Sequence, residues 1–117
     1  MSNAAAVNRL SLRTEFKGAT AIVHCRGRLV SNLCSEFRAN IHPLLKEHTR
    51  VILDLTELDS VDSMGIGTLV RLYVSAKSAG SCLELVNLGK QVRELLGVTN
   101  LLSLFGEMCE KGVSVRY

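Results

Sequence analysis

Val51-Ile52-Leu53-Asp54-Leu55, followed after an acidic connection by Asp62-Ser63-Met64-Gly65-Ile66-Gly67-Thr68-Leu69-Val70, is the stretch that decides how this chain folds. Its first part is a short apolar run of the kind buried on both faces of a sheet, which predicts a central strand. Its second part opens the most regular helical pattern in the chain, over residues 64–79. On a wheel of about 100° per residue, Ile66, Leu69, Val70, Leu72, Tyr73, Val74 and Ala76 fill an arc of roughly 200°. Gly67, Thr68, Arg71, Ser75 and Ser78 take the opposite face, and Lys77 falls on the apolar side near the end, where it can snorkel. Asp62 or Ser63 suits the helix start and Gly80 its end. The exit of the central strand therefore leads straight into Asp59 to Gly67, at the end of a strand, where sites in such sheets gather.

Working outward, alternation in Leu10 to Phe16 predicts a half-buried strand, Lys17-Gly18 a turn, and Thr20 to Arg26 a second strand. Together they form an opening hairpin that Gly27 is expected to end. Ser31 or Asn32 can cap a helix whose apolar positions Leu33, Phe37, Ile41, Leu44 and Leu45 repeat at helical spacing. Pro43 is expected to kink it, because it lacks a donor and crowds the carbonyl of Ala39. Downstream, Cys82 to Val86 predicts a strand and Lys90 to Leu96 a short helix ended by Gly97. Asn100 can cap one more turn, Leu104 to Cys109 could be a last strand, and Val113, Val115 and Tyr117 alternate as in a strand. A hairpin followed by strand, helix, strand, helix, strand implies an α/β fold with a mixed sheet, since parallel neighbours need crossover helices.

A length of 117 residues suits one domain, expected over residues 8–117, with the small, uncharged stretch Met1 to Val7 as a disordered tail. No apolar run approaches the ~18 residues that cross a bilayer, so no membrane association is expected. Cys25, Cys34, Cys82 and Cys109 lie far apart without a Cys-x-x-Cys pair, and His24, His42 and His48 are scattered. No zinc spacing results; the cysteines are expected to be reduced core residues of a cytoplasmic protein, with no metal and no cofactor. The formal charge is +3, but basic residues are dispersed and there are only three Phe, two Tyr and no Trp. That argues against direct nucleic-acid binding, which needs a basic stripe and stacking platforms. Asp54, Glu57, Asp59 and Asp62, by contrast, follow one another with no intervening base.

Within Asp62 to Gly67, a plain helix cap accounts for Asp62 or Ser63 accepting from first-turn amides, with the two glycines allowing close packing. Yet two glycines in a first turn cost about 1 kcal/mol each relative to Ala, which suggests a need for bare, accessible backbone. A Ser at a helix start is also a place where a phosphate is tolerated by exposed amides and the helix dipole. Carrying about −1.5 to −2 charges beside Asp62 and Asp59, that phosphate would change the surface more than the fold and expel a partner docked there. Catalysis is not indicated: there is no Gly-x-x-x-x-Gly-Lys, Gly-x-Gly-x-x-Gly or Gly-x-Ser-x-Gly, and no histidine or second acid clearly placed to activate Ser63. Self-association into a weak homodimer, through the broad apolar arc or the hairpin edge, is a further reading.

Gly27 to Val30, Val51 to Leu55, Asp62 to Val70, Ala79-Gly80, Leu83 to Leu88 and Val92 to Leu96 together resemble, in order, a STAS domain of the anti-sigma factor antagonist family. The resemblance covers roughly residues 8 to 109, and Asp62 to Val70 after an apolar strand is its most discriminating piece. It implies a STAS-like mixed sheet of about four to six strands with about four α-helices packed mainly on one side. It implies a non-enzymatic switch: the unphosphorylated protein binds an anti-sigma factor serine kinase and releases a sigma factor, and a cognate phosphatase resets the modified form. By position, Ser63 is the phosphoacceptor, Asp62 its orienting neighbour, and Asp59, Asp62, Met64, Gly65, Ile66 and Gly67 form the partner-binding surface. The alternative is a STAS interaction or scaffold module that binds without being phosphorylated. Met64 stands where many relatives carry a second hydroxyl, Val30 where many carry an acid, and Glu110 to Tyr117 does not read as their usual acidic helix.

Overall fold

Lys17, Gly18 and Ala19 reverse the chain, with Gly18 at a φ of 60° that suits glycine. The structure, a computed structural model, describes residues 10–98 and 115–116. Strands β1 (Ser11–Lys17) and β2 (Thr20–Leu29) pair antiparallel, from Lys17 opposite Thr20 to Ser11 opposite Arg26. Contrary to expectation, β2 does not stop at Gly27. That residue takes a φ of 106°, and the register against the next strand slips between His24 and Arg26 and again between Gly27 and Arg28. A bulge thus bends the strand and carries it on to Leu29.

A 3₁₀ turn, Ser31–Leu33, leads into α1 (Cys34–Glu47). Neither Ser31 nor Asn32 caps it: Leu33 stands at the N-cap without a side-chain bond, because the Ser31 hydroxyl is drawn to Asp62. The helix continues through Pro43 and buries Phe37, Ile41 and Leu45. Strand β3 (Arg50–Val61) comes next, then α2 (Ser63–Ala79), β4 (Cys82–Val86), α3 (Lys90–Val98) and β5 (Val115–Arg116). The five strands among the described residues lie in the order β1-β2-β3-β4-β5, mixed because every pairing after the hairpin is parallel. Strand β3 overruns its apolar segment: pairing with β2 continues to Leu29 opposite Val61, so the acidic connection is itself strand.

One face of the sheet carries Ala21, Val23 and Cys25, then Val51, Leu53 and Leu55, then Leu83 and Leu85, all buried. They join Phe37, Ile41 and Leu45 of α1, Ile66, Leu69, Leu72 and Ala76 of α2, and Val92 of α3 in one core. The helices are therefore packed on one side, and each buried Leu, Ile, Val or Phe contributes about 1.5–3 kcal/mol. The buried stripe of α2 is narrower than the wheel suggested. Val74 is 56% exposed, while Thr68 is buried and donates to the Met64 carbonyl at 2.8 Å, which satisfies its hydroxyl within the helix. Gly80 ends α2 at a φ of 74°, and the Ser81 amide donates back to Ala76.

On the other face, Ile22 and Ile52 are half-buried neighbours, and beyond them Glu84 is fully buried. Arg50 lies 3.1 Å from a Glu84 carboxylate oxygen, off the line of a hydrogen bond, so charge holds the pair. Cys25 and Cys34 are buried free thiols; burial first, and the charge of Asp54 second, push Cys25 up to about 12. Cys82, expected reduced, is instead disulfide-bonded: it opens β4 half-buried rather than sealed in the core. Cys109, the Met1 to Val7 tail, the cap at Asn100 and the strand at Leu104 to Cys109 lie outside the described residues. Where Val113, Val115 and Tyr117 alternate, Val115–Arg116 is β5, paired to Leu85 and Val86.

A candidate docking site at the start of the second helix

Where β3 ends, Asp62 ties three elements together. Its backbone amide donates to the Leu29 carbonyl at the end of β2. As the N-cap of α2, it accepts from the Gly65 amide on Oδ1 at 2.9 Å, leaving Oδ2 to accept from both the amide and the hydroxyl of Ser31 at 3.0 Å. The bond from the Gly65 amide lowers the Asp62 pKa; burial opposes it, and the bonds from Ser31 add to it. The carboxylate is thus held ionised and fixed, with both oxygens engaged by its own chain.

Ser63 is the first residue of α2 and is exposed. Met64 beside it is 56% exposed, an unusual place for a large apolar side chain. Gly65 and Ile66 turn inward and are buried, so they shape this surface from beneath. Gly65 has a steric reason to be glycine: a Cβ there would overlap the Leu29 carbonyl oxygen and lie 2.8 Å from Cγ1 of Val61. Its bareness serves helix-to-strand packing, whereas a Cβ on exposed Gly67 would meet nothing within 4 Å. Asp59 is exposed and belongs to β3, where a free acidic loop was expected. The acidic run does not stand alone: Glu57 pairs opposite Arg26, and Arg28 donates to Ser60 at 3.3 Å.

A groove of about 660 Å³ opens between α1 and α2, with Ser31 and Ser63 at one end and Arg38, His42 and Arg71 along it. Sequence reasoning did not single out Arg38, His42 or Arg71 as site residues. Arg38 and His42 stand one helical turn apart, but their meeting with Arg71 depends on how two helices pack. Ser31, a cap candidate for its own helix by sequence, instead bonds Asp62, 31 residues away.

A second polar centre lies on the sheet face opposite the described helices. The His24 ring bridges two carboxylates, with Nδ1 2.8 Å from Asp54 and Nε2 2.7 Å from Glu15. Burial raises the Asp54 pKa, but bonds from the Thr56 hydroxyl and amide, Asn87 and His24 outweigh it and bring it to about 2. Bonds from His24 and then Arg13 lower Glu15. Among the described residues, no group of three or more His, Cys, Asp or Glu side chains could hold a metal ion, and no helix is long and apolar enough to cross a membrane.

A five-stranded mixed sheet with helices on one face, and an Asp-capped Ser opening the second of them, has a counterpart among known families. Residues 11–113 match the STAS domain, and the chain belongs to that family. A Thermotoga neapolitana protein described as a candidate anti-sigma factor antagonist is 33% identical over 58 residues, 50% of this chain and 51% of that protein. The chain thus spans about half the length of the curated relatives it matches. In fold it is similar to a candidate anti-sigma factor antagonist from Thermotoga maritima, with a TM-score of 0.77 at 21% identity over 91% of this chain and 86% of that one. It is also similar to the Bacillus cell fate determinant SpoIIAA in its phosphorylated form, with a TM-score of 0.65 at 19% identity over 78% and 85%.

Proposed function

We propose that this chain is an anti-sigma factor antagonist, a cytoplasmic binding switch that performs no catalysis of its own. In its unphosphorylated form it binds an anti-sigma factor serine kinase and so frees a sigma factor. The kinase transfers the γ-phosphoryl group of ATP to the Ser63 oxygen, the hydroxyl proton leaves to a base of the kinase, and the bound form is dismissed. A phosphatase then hydrolyses the ester and resets the switch. Support comes from likeness to candidate antagonists and to SpoIIAA, whose phosphorylated form is known.

The observation that carries the reading is the contrast between neighbours: Asp62 is immobilised by three hydrogen bonds while the Ser63 side chain beside it is exposed. A hydroxyl held at a fixed place on a helix start is presentable to another enzyme. A phosphate there adds about −1.5 to −2 charges next to the ionised Asp62, and Asp59 is exposed earlier in β3. Partner atoms resting on Met64 would face that charge and bulk, while the core beneath Gly65 and Ile66 would not. Asp59, Asp62, Met64 and Gly67 supply the outer surface on this reading; Gly65 and Ile66 support it from below.

The test is phosphate-affinity electrophoresis of the protein incubated with ATP and serine kinases encoded beside its gene. A mobility shift with wild type that vanishes in Ser63→Ala is the expected result. Failure of every such kinase to shift the wild type would point instead to a scaffold module that binds without modification.

A further inference from the structure

The start of α2 accounts for Ser63 and Met64 but leaves the rest of the groove unexplained. Arg38 of α1 and Arg71 of α2 are both exposed and both line it, and neither makes an ion pair or side-chain hydrogen bond among the described residues. No Asp or Glu among the described residues lines the groove. Two other arginines are paired with acids, Arg13 with Glu15 and Arg50 with Glu84. Two unpaired guanidiniums across one groove concentrate positive potential in a concave place, with His42 adding a nitrogen donor.

Gly67 points the same way. Between Ser63 and Arg71 on the groove side of α2, it weakens the helix by about 1 kcal/mol relative to Ala, yet a Cβ there would touch nothing. Packing therefore does not require it, while its bareness keeps the groove floor open along the path from Ser63 to Arg71.

We propose that the groove between α1 and α2 seats an acidic segment of the protein partner, its carboxylates paired with Arg38 and Arg71 and its apolar side chains against Met64. This rests on the reading of the chain as a partner-binding switch. Charge complementarity selects the occupant: bidentate guanidinium pairing suits carboxylates, and no Phe, Tyr or Trp among the described lining residues offers a nucleobase a broad stacking platform. Because Ser63 closes one end of the groove, a phosphate there sets a negative charge in the path of a negative chain. The same surface then both attracts the partner and, once modified, repels it.

Amide chemical shifts of ¹⁵N-labelled protein, titrated at low salt with hexaglutamate, hexalysine and ATP in turn, test this. Hexaglutamate is expected to move the amides of Ser35 to His42 and Gly67 to Arg71 saturably, and hexalysine to leave them unmoved. The Arg38→Glu/Arg71→Glu variant should bind hexaglutamate at least tenfold more weakly; both residues are exposed, so its melting temperature should match wild type. Shifts centred on Arg26 and Arg28, shifts that persist in the double variant, or tighter saturation of the groove by ATP than by hexaglutamate would overturn the proposal. The titration needs no phosphorylation, and the gel shift of Ser63 needs no groove, so either idea can fail while the other stands.

Discussion

Asp62 and Asp54 are both carboxylates that gather hydrogen bonds, yet they organise their surroundings differently. Asp62 caps a helix and binds the neighbouring turn, and beside it the chain presents an exposed Ser63 and Met64. Asp54 sits in the middle of the sheet, where it draws His24 from β2 and Asn87 from beyond β4 into one network with Glu15 of the hairpin. Not far away, Glu84 is buried outright with Arg50 as its counter-charge. The helix start is wired so that its surface can change without disturbing what lies beneath. On the sheet face, altering one charged group strands another.

The sharpest way to break that contrast is to remove Arg50. Arg50→Met leaves Glu84 buried without its partner and is expected to cost about 3 kcal/mol in urea unfolding, the low end for a buried pair because Arg50 is partly exposed. The double variant Arg50→Met/Glu84→Leu should recover most of that loss; if it does not, the ion pair is not the cause.

Next comes a pair of glycines two residues apart. Gly65→Ala forces a methyl against the Leu29 backbone and is expected to lower stability by about 2 kcal/mol, within the range for overpacked cores. Gly67→Ala, with open space around it, should instead stabilise α2 by up to about 1 kcal/mol. Equal effects of the same sign would refute the geometry of the α2 start.

Acid tests the sheet-face carboxylate. The Asp54 pKa in the folded protein is about 2, below the ordinary 3.8. Its contribution is therefore complete above the ordinary value and is lost as pH falls through the folded one. Thermal unfolding followed from about pH 5 down to about pH 2 should show about 2 kcal/mol of this loss, and Asp54→Asn should flatten that part of the profile. The smallest effect belongs to the site itself: Ser63→Asp should change stability by no more than about 0.5 kcal/mol while weakening partner binding at least tenfold. A Ser63→Asp protein that unfolds readily would show that the helix start is not a surface device.

Much of this was legible in the sequence where the forces are local. The apolar runs Val51 to Leu55 and Cys82 to Val86 are strands, and the Asp62 cap and the Gly80 end of α2 are where residue chemistry puts them. The strands that overran expectation, β2 past Gly27 and β3 past Leu55, did so because parallel pairing with each other satisfies the backbone of polar residues that carry no strand signal alone. Thr68 and Val74 exchanged places on α2 because packing, with an internal hydrogen bond for Thr68, overrode the wheel. The His24 bridge joins groups 30 and 9 residues apart, and the Arg38–Arg71 groove exists only once α1 lies beside α2. Neither had a local signature.

The bonds from Ser31 and to Leu29 give the Asp62-Ser63 segment one more property. Beside the local bond from Gly65, the groups that fix it come from about 30 residues earlier in the chain, across a parallel strand pairing. It is consequently a conformational epitope rather than a linear one. A short peptide spanning the motif lacks its scaffold, so an enzyme or antibody that reads this geometry distinguishes the folded domain from the nascent or denatured chain.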